Sequence, residues 1–435
     1  MNTQLAHAES APLVNAPKRR SSSKRVMIVL AVCMALQMTS FVMILPLLAR
    51  RFTEIGAGVA ALGVSAMASA LAGTLAAPFM GALADRFGRR PVMLGSLAAY
   101  ALAFTGYLFA ASAPAFIVLR GLAGLFTAGL IPAVTGSVAD LAPIDRRAQW
   151  IGIVNGGASI GWIAGPLLGG VLYDRWGHGV PFAVAASMAA VTFIAAYLVT
   201  PETRQGPVQA PGKPSLKNKH FRLPTWKACL QSLRACLPQS LSGLALLLCI
   251  YFTVMFAWAF IEPRFMFYSY DGLGWSSSML GMVMSTYGIA MTLGEFGLSR
   301  LSDRLGRKPV ILLGLVLFAA QFIGLAFARD YILIAIAFSI AGLGNALYDP
   351  ALSAWILDIA PAKQQVRILG VKSTAGSLGN ILGPALLVLF TPFLNAQGIF
   401  LVATGMVLLI TLVFFFFQPR KVGPRAASEP VMADE

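Results

Sequence analysis

The stretch Gly81–Pro91 reads Gly-Ala-Leu-Ala-Asp-Arg-Phe-Gly-Arg-Arg-Pro, and it returns 218 residues later as Ser-Arg-Leu-Ser-Asp-Arg-Leu-Gly-Arg-Lys-Pro at Ser299–Pro309. The same offset carries Gly63 to Gly281, Pro132 to Pro350, Asp140 to Asp358 and Pro143 to Pro361. It also carries Gly152, Gly161, Gly165 and Pro166 to Gly370, Gly379, Gly383 and Pro384. One register held this far makes the chain two tandem copies of one unit.

The unit belongs in lipid. Hydrophobic residues make up 57% of the 435 and charged residues 11%, outside the range of a soluble domain. Gly81–Pro91 closes one apolar run (57–84) and opens another (92–111), so it reads as a tight charged hairpin between two membrane helices. At about 20 residues per span, roughly twelve helices fit. The expected spans are 26–48, 57–84, 92–111, 114–138, 149–173 and 180–199, then 241–267, 275–302, 310–328, 331–357, 364–391 and 397–418. The expected fold is all-α: two parallel-repeat six-helix bundles, 26–200 and 241–418, with an N-tail 1–25, a linker 201–240 and a C-tail 419–435. Parallel repeats of this kind relate the halves of secondary transporters, with the substrate path between them.

The net charge of +16 would suggest nucleic acid on a soluble protein. Here it follows topology. With the N-terminus inside, 27 of the 33 Lys and Arg fall on that side, counting Lys372 at a loop edge, and 5 on the other. Arg120 alone is left inside a span. That asymmetry places both termini in the cytoplasm of a multi-pass plasma-membrane protein, a bacterial inner membrane by expectation. No nucleic-acid partner is expected, and a monomer in the bilayer is. Cys33 and Cys249 lie in spans, and Cys229 and Cys236 in a basic inner loop, on a reducing side where disulfides are not expected. His7, His178 and His220 are scattered, so neither a metal site nor any cofactor is expected. Val26–Leu48 reads as a retained helix, with no small-residue cleavage site before it. Within the linker, Trp226, Leu230, Leu233 and Leu237 recur at helical spacing with Lys227 and Arg234 off that face. This fits a helix on the inner membrane surface; a plain spacer is the alternative.

Glycines inside a span need a reason. Gly161, Gly165 and Gly169 recur every fourth residue, beside Gly152, Pro166 and Gly170. Pro166 removes one helix donor and bends the helix, and the smooth stripe admits close helix approach. A kinked helix at the seam between the halves is expected. The copy keeps Gly379, Gly383 and Pro384 but has Leu387 and Val388 in place of Gly169 and Gly170, so the first seam should be the closer.

Gly81, Asp85, Arg86, Gly88, Arg89 and Arg90, repeated as Asp303, Arg304, Gly306 and Arg307, resemble the loop 2–3 signature of the major facilitator superfamily. Gly152-x8-Gly161-x3-Gly165-Pro166-x2-Gly169-Gly170 resembles the fifth-helix motif of its drug/proton antiporter branch. Arg120-x3-Gly124 resembles that branch's fourth-helix motif, with Ala123 where Gln is usual; Pro46 and Pro201-Glu202-Thr203 also fit. The resemblance spans 26–418 and implies export by exchange against protons. It implies that Asp85 faces the eleventh helix and that Arg89 pairs with an acid ending the fourth, here Asp140. In the copy, Asp303, Arg307 and Asp358 would act against the fifth helix. These groups read as latches on an outward-open state; an acid there also favours a neighbouring helix N-terminus. Setting topology is the alternative role for the basic residues. Tetracycline exporters carry an acid nine residues before the first-helix proline. Gln37 stands there, which argues against tetracycline–metal recognition and against proton coupling through the first helix.

Ionisable residues within spans are costly and mark function. The resemblance gives Arg120 a role in proton coupling. Asp349 and Lys372 each lie nine residues from the inner ends of adjacent helices, about 13 Å deep, and a pair is expected. Glu295 and Glu262 are further candidate proton carriers, Glu262 with an interfacial alternative beside Pro263 and Arg264. The cavity is expected between the first, fourth, seventh and tenth helices, with Gln37, Phe41, Tyr251, Trp258, Asn345, Tyr348 and Trp355 as candidate lining residues. Their aromatic faces suit amphipathic substrates; plain packing is the alternative for each. No Gly-x4-Gly-Lys-Ser/Thr occurs and no hydrolytic constellation stands out, so neither a nucleotide-driven pump nor an enzyme is expected. The leading reading is proton-driven export of small amphipathic compounds. A metabolite carrier (a sugar, siderophore or precursor exporter, or an uptake symporter) and a non-transporting receptor or scaffold are the alternatives.

Overall fold

The computed structural model describes residues 18–143, 146–202, 241–298, 301–359 and 365–417. The proposed linker helix, most of the N-tail, the C-tail and the side chain of Asp85 lie outside the described residues. Among the described residues there are no strands. Twelve long helices follow one another: α1 Lys18–Glu54, α2 Val59–Phe87, α3 Arg89–Phe109, α4 Ala113–Leu141, α5 Arg147–Trp176 and α6 Gly179–Val199, then α7 Leu241–Phe267, α8 Ser277–Leu298, α9 Arg307–Phe327, α10 Tyr331–Ile359, α11 Gln365–Phe390 and α12 Ala396–Phe416. One π-helical turn, Tyr268–Gly272, prolongs α7, and one five-residue piece, Leu301–Leu305, precedes α9.

Eleven of the twelve are long and apolar enough to cross a membrane. The exception is α8, whose Gly281, Ser285, Thr286, Gly288, Thr292 and Gly294 lower its hydropathy. Of these, Gly281 and Gly288 serve close packing, described below. Outward-facing apolar side chains such as Phe109 (80% exposed) and Phe296 (81%) are what lipid, not water, would solvate.

The packing repeats. α1 lies along α5 and α6, α2 along α4, and α3 along α4 and α6. Adding six to each number gives the packing of the later helices: α7 with α11 and α12, α8 with α10, α9 with α10 and α12. The two seams between these sets, α5–α8 and α2–α11, map onto each other by the same rule. Local bonds repeat as well. Arg90 Nη2 donates to the Tyr197 carbonyl at 2.8 Å, and Lys308 Nζ to the carbonyls of Phe415 (2.8 Å) and Phe417 (2.6 Å). Both cations sit at helix C-termini, where exposed carbonyls attract positive charge.

The charged hairpin is tighter than a loop. Gly88 alone separates α2 from α3, and Gly306 alone precedes α9, at φ 102° and 88°. Only glycine enters this region without strain. A side chain at Gly88 would also strike the Glu202 carboxylate, which accepts from the amides of Arg89 (3.2 Å) and Arg90 (3.3 Å).

The glycine stripe of α5 is not at the seam. Cβ atoms added at Gly161 and Gly165 would meet the backbone of Met38 and Thr39 on α1, and one at Gly169 would meet the Met43 carbonyl. Residues four apart share one face, and that face turns to α1. Gly379 and Gly383 face α7 in the same way, against Phe252 and Phe256. Gly152 and Gly370 meet nothing within 4 Å. The seam uses the adjoining face of α5: Gly170 against Ser277, Pro166 against Gly281 and Trp162 against Gly288. At the other seam a Cβ added at Gly63 would meet a Val388 methyl at 3.0 Å and the Pro384 carbonyl at 3.5 Å. The α5–α8 seam is therefore backbone on backbone, and the α2–α11 seam is held off by a side chain.

Candidate central cavity and the closure at its distal end

We call the end of the bundle where α1 begins proximal, and the end where it finishes distal. A cavity of about 480 Å³ lies between the two sets of helices, within the ordinary range for a small-molecule pocket. Phe41, Arg120, Tyr251, Trp258, Glu262, Asn345, Tyr348 and Asp349 line it, as do Glu295 of α8 and Asn380 of α11.

Two expected lining residues are elsewhere. Gln37 is enclosed, 1% exposed, with neither side-chain amide atom partnered among the described residues. Trp355 turns away, its ring 5.7 Å from Phe414 of α12. It follows Pro350, which interrupts the regular turn of α10. The lining is also broader than four helices. Trp162 of α5 and Met284, Tyr287 and Met291 of α8 take part. Period alone cannot say which face of a helix turns inward, but residues 284, 287, 291 and 295 share one stripe at steps of three and four.

The charges form two groups. Towards the distal end are Arg120 of α4 and Glu262 of α7. Arg120 is 9% exposed, 5.9 Å from the Phe41 ring, and within electrostatic reach of Glu262. Glu262 faces the cavity rather than the membrane boundary, because Pro263 and Phe265 turn into the core beside it. Towards the proximal end, Lys372 Nζ donates to Asp349 Oδ1 at 2.5 Å and to Ser353 Oγ at 2.6 Å, and sits 4.2 Å from the Tyr251 ring centre. The Lys372 side chain is 10% exposed against 39% for Asp349, so the pair is reached through its carboxylate. Asn345 Nδ2 donates to the Tyr287 hydroxyl at 2.5 Å, and Tyr287 stacks on Trp258 at 6.4 Å.

At the proximal rim, Arg89 lies 3.0 Å from Asp140. In the repeat, Arg307 lies 3.3 Å from Asp358 and 2.9 Å from Asp303. Both clusters stay within one set of six helices. Arg86 and Arg304 are exposed at the same rim, Arg86 5.2 Å from the Phe87 ring.

At the distal end, hydrogen bonds between described residues join the first six helices to the last six. The Asp174 carboxylate of α5 accepts from Ser277 N (3.0 Å), Ser278 N (2.7 Å) and Ser278 Oγ (2.6 Å), capping α8. Arg50 Nη1 reaches Ser277 Oγ at 3.4 Å and lies between the rings of Tyr173 (5.4 Å) and Tyr270 (5.5 Å). The Tyr270 hydroxyl, carried inward by the π-turn, donates to the Pro46 carbonyl at 3.0 Å. A charged cap of this kind is worth about 1–2 kcal/mol. Asp174→Ala is expected to loosen the distal closure by that amount, about tenfold in an open-to-closed ratio. Maleimide labelling of a cysteine placed at Leu273 measures it, and an unchanged labelling rate counts against the cap as a closing contact.

Comparison with known proteins agrees with this architecture. The Major Facilitator Superfamily family model matches residues 27–270 and again 244–433. Tetracycline resistance protein, class G, of Vibrio anguillarum is 30% identical over 318 residues, covering 71% of this chain and 75% of that protein. Multidrug resistance protein MdtG of Proteus mirabilis is 27% identical over 329 residues, covering 74% and 77%. Among solved structures, the human organic anion transporter MFSD10 aligns with a TM-score of 0.66 at 22% identity, covering 92% of this chain and all of that one. A D-xylose-proton symporter aligns at 0.70 and 15% identity, covering 91% and 97%. With two matching halves, a shared central cavity and the helix order of these transporters, the chain belongs to the major facilitator superfamily, as a multi-pass membrane transporter.

Proposed function

We propose that the chain exports small amphipathic organic compounds in exchange for protons, by alternating access. The observation that carries this is the cavity between the two repeats, lined by Glu262, Glu295 and Asp349 and shut at one end by contacts between the repeats. The moving units are 26–200 and 241–418, joined by 201–240. With the termini cytoplasmic, as the charge asymmetry argues, the distal end is external and the described state opens inward. Relatives named for tetracycline and multidrug resistance support the export direction. Buried Gln37, uncharged, argues for substrates other than metal–tetracycline complexes. A monomer in the inner membrane suffices, since the cavity is complete within one chain.

The acids do the coupling on this reading. In the described state Lys372 is paired with Asp349. A proton arriving from outside neutralises Asp349, Lys372 falls back on Ser353 and the Tyr251 face, and the local attraction across the cavity changes. The proton leaves to the cytoplasm when the cavity opens there. Arg89–Asp140 and Arg307–Asp358 tie α3 to α4 and α9 to α10 as each unit moves.

The test is dye flux in proteoliposomes under an imposed pH gradient. Flux about tenfold faster with the gradient, collapsing to baseline with a proton ionophore, is expected. Flux indifferent to both overturns proton exchange and favours a metabolite uniporter. No flux for any compound of a broad panel favours the receptor or scaffold reading.

A further inference from the structure

The α5–α8 seam is closed only in its distal part. It runs from Gly170 against Ser277, through Pro166 against Gly281, to Trp162 against Gly288. Nearer the proximal end, a Cβ added at Gly156 or Gly152 of α5, or at Gly297 of α8, would meet nothing within 4 Å. The contact faces nevertheless continue. On α8, Gly281 and Gly288 lie seven residues apart, about two helical turns, and the next step of seven is Glu295. On α5, the run Gly170, Pro166, Trp162 continues on the same face through Ser159 to Asn155. Asn155 lies eight residues from Arg147, where α5 begins, and Glu295 eight residues from Asp303 at the hairpin. Both therefore sit about 12 Å deep. Both residues are exposed, and neither side chain has a hydrogen bond or ion pair among the described residues.

We propose that Asn155 is a positioning residue: when the proximal end closes, the seam extends along these faces and the Asn155 amide donates to the Glu295 carboxylate. The assignment rests on the alternating-access reading and names a contact that holds its second state. An amide suits the place. A carboxylate covered by a neighbouring helix needs a donor, and an amide supplies one without a second charge to desolvate. The repeat makes the contact one-sided. The 218-residue offset puts Ala77 of α2 and Ser373 of α11 at the matching positions, both exposed. Alanine has no polar group to offer, so the α2–α11 flank closes there by contact alone.

Cysteine pairs test this in the full chain, with its four native cysteines replaced by alanine, in proteoliposomes under a pH gradient with copper phenanthroline as oxidant. A disulfide needs Cα atoms within about 7 Å. Asn155→Cys with Glu295→Cys is expected to crosslink and to stop dye flux, and a reductant to restore it. Ala77→Cys with Ser373→Cys reports proximal closure independently. Should only this second pair crosslink, the Asn155–Glu295 contact is overturned and alternating access stands. Faster crosslinking of Ser159→Cys with Glu295→Cys also overturns Asn155 as the partner. Absence of crosslinking at every pair overturns both readings. The hydrogen bond itself is read on the reporter pair at Ala77 and Ser373. Asn155→Asp is expected to slow its crosslinking about tenfold, since a charge-assisted bond is lost and two carboxylates face each other. Adding Glu295→Gln exchanges donor and acceptor and is expected to recover the rate. An Asn155→Asp chain that closes as fast as the parent, or a loss that Glu295→Gln leaves in place, overturns the bond.

Discussion

Gly281→Val is expected to insert and fold, yet to lose at least about nine-tenths of transport. A Cβ at this position already meets the Pro166 carbonyl, with Leu167 Cα 3.2 Å away. Backbone cannot swing aside as a flexible side chain can, so two further methyl groups must push α8 off α5. Overpacking of this kind costs about 1–3 kcal/mol, charged here to one state only, the one closed at the distal end. At 1.4 kcal/mol per factor of ten, that state falls to a minor species. Spin labels at Ile55 and Leu273 measure the distal gap, which is expected to widen in the variant. Gly405→Ala, at a position with nothing within 4 Å, is the control and is expected to transport normally. A variant that pumps at full rate with an unchanged gap removes the α5–α8 seam from the mechanism.

The second large effect falls on the Asp349–Lys372 pair, and the two halves of the pair are unequal. Asp349→Asn strands an ammonium that is 10% exposed, while Lys372→Met strands a carboxylate that is 39% exposed and still partly hydrated. Removing one partner of a buried pair costs about 3–5 kcal/mol; partial hydration lowers this for the carboxylate to about 1–2 kcal/mol. Asp349→Asn is therefore expected to lower the melting temperature in detergent more than Lys372→Met. The double variant should recover most of the loss, since no charge is then left alone. All three are expected to lose gradient-driven flux. Equal destabilisation by the two single changes, or a double variant worse than either, contradicts this account of the pair. Full gradient-driven flux in Asp349→Asn removes Asp349 from coupling.

Much of this architecture is readable before any coordinates. Lipid forces each crossing segment to satisfy its own backbone, so the apolar runs announce the helices, and the 218-residue offset announces the repeat. Asp349 and Lys372 are legible for a similar reason, because equal distances from neighbouring helix ends mean equal depth. Orientation about a helix axis is where reading stops. Gly161, Gly165 and Gly169 announce close approach but not to which neighbour, and the neighbour is α1. Trp355 and Tyr348 are seven residues apart on one helix, yet Tyr348 lines the cavity and Trp355 meets Phe414. Asp174 gave no sign at all. It sits before Arg175, Trp176 and Gly177 like any loop acid, and its partners are over a hundred positions away in the other repeat. The polar composition of α8 was the one available clue, since serine and glycine in a membrane helix mark contact with another backbone.

The unequal seams bear on how a solute gets out. With α5 and α8 knit through main chain and α2 held from α11 by the Val388 methyl, the outer doorway is fastened unequally on its two sides. On the proposed reading the α2–α11 flank parts first and the α5–α8 contacts part last. A greasy cargo leaving there meets the outer leaflet before it meets water.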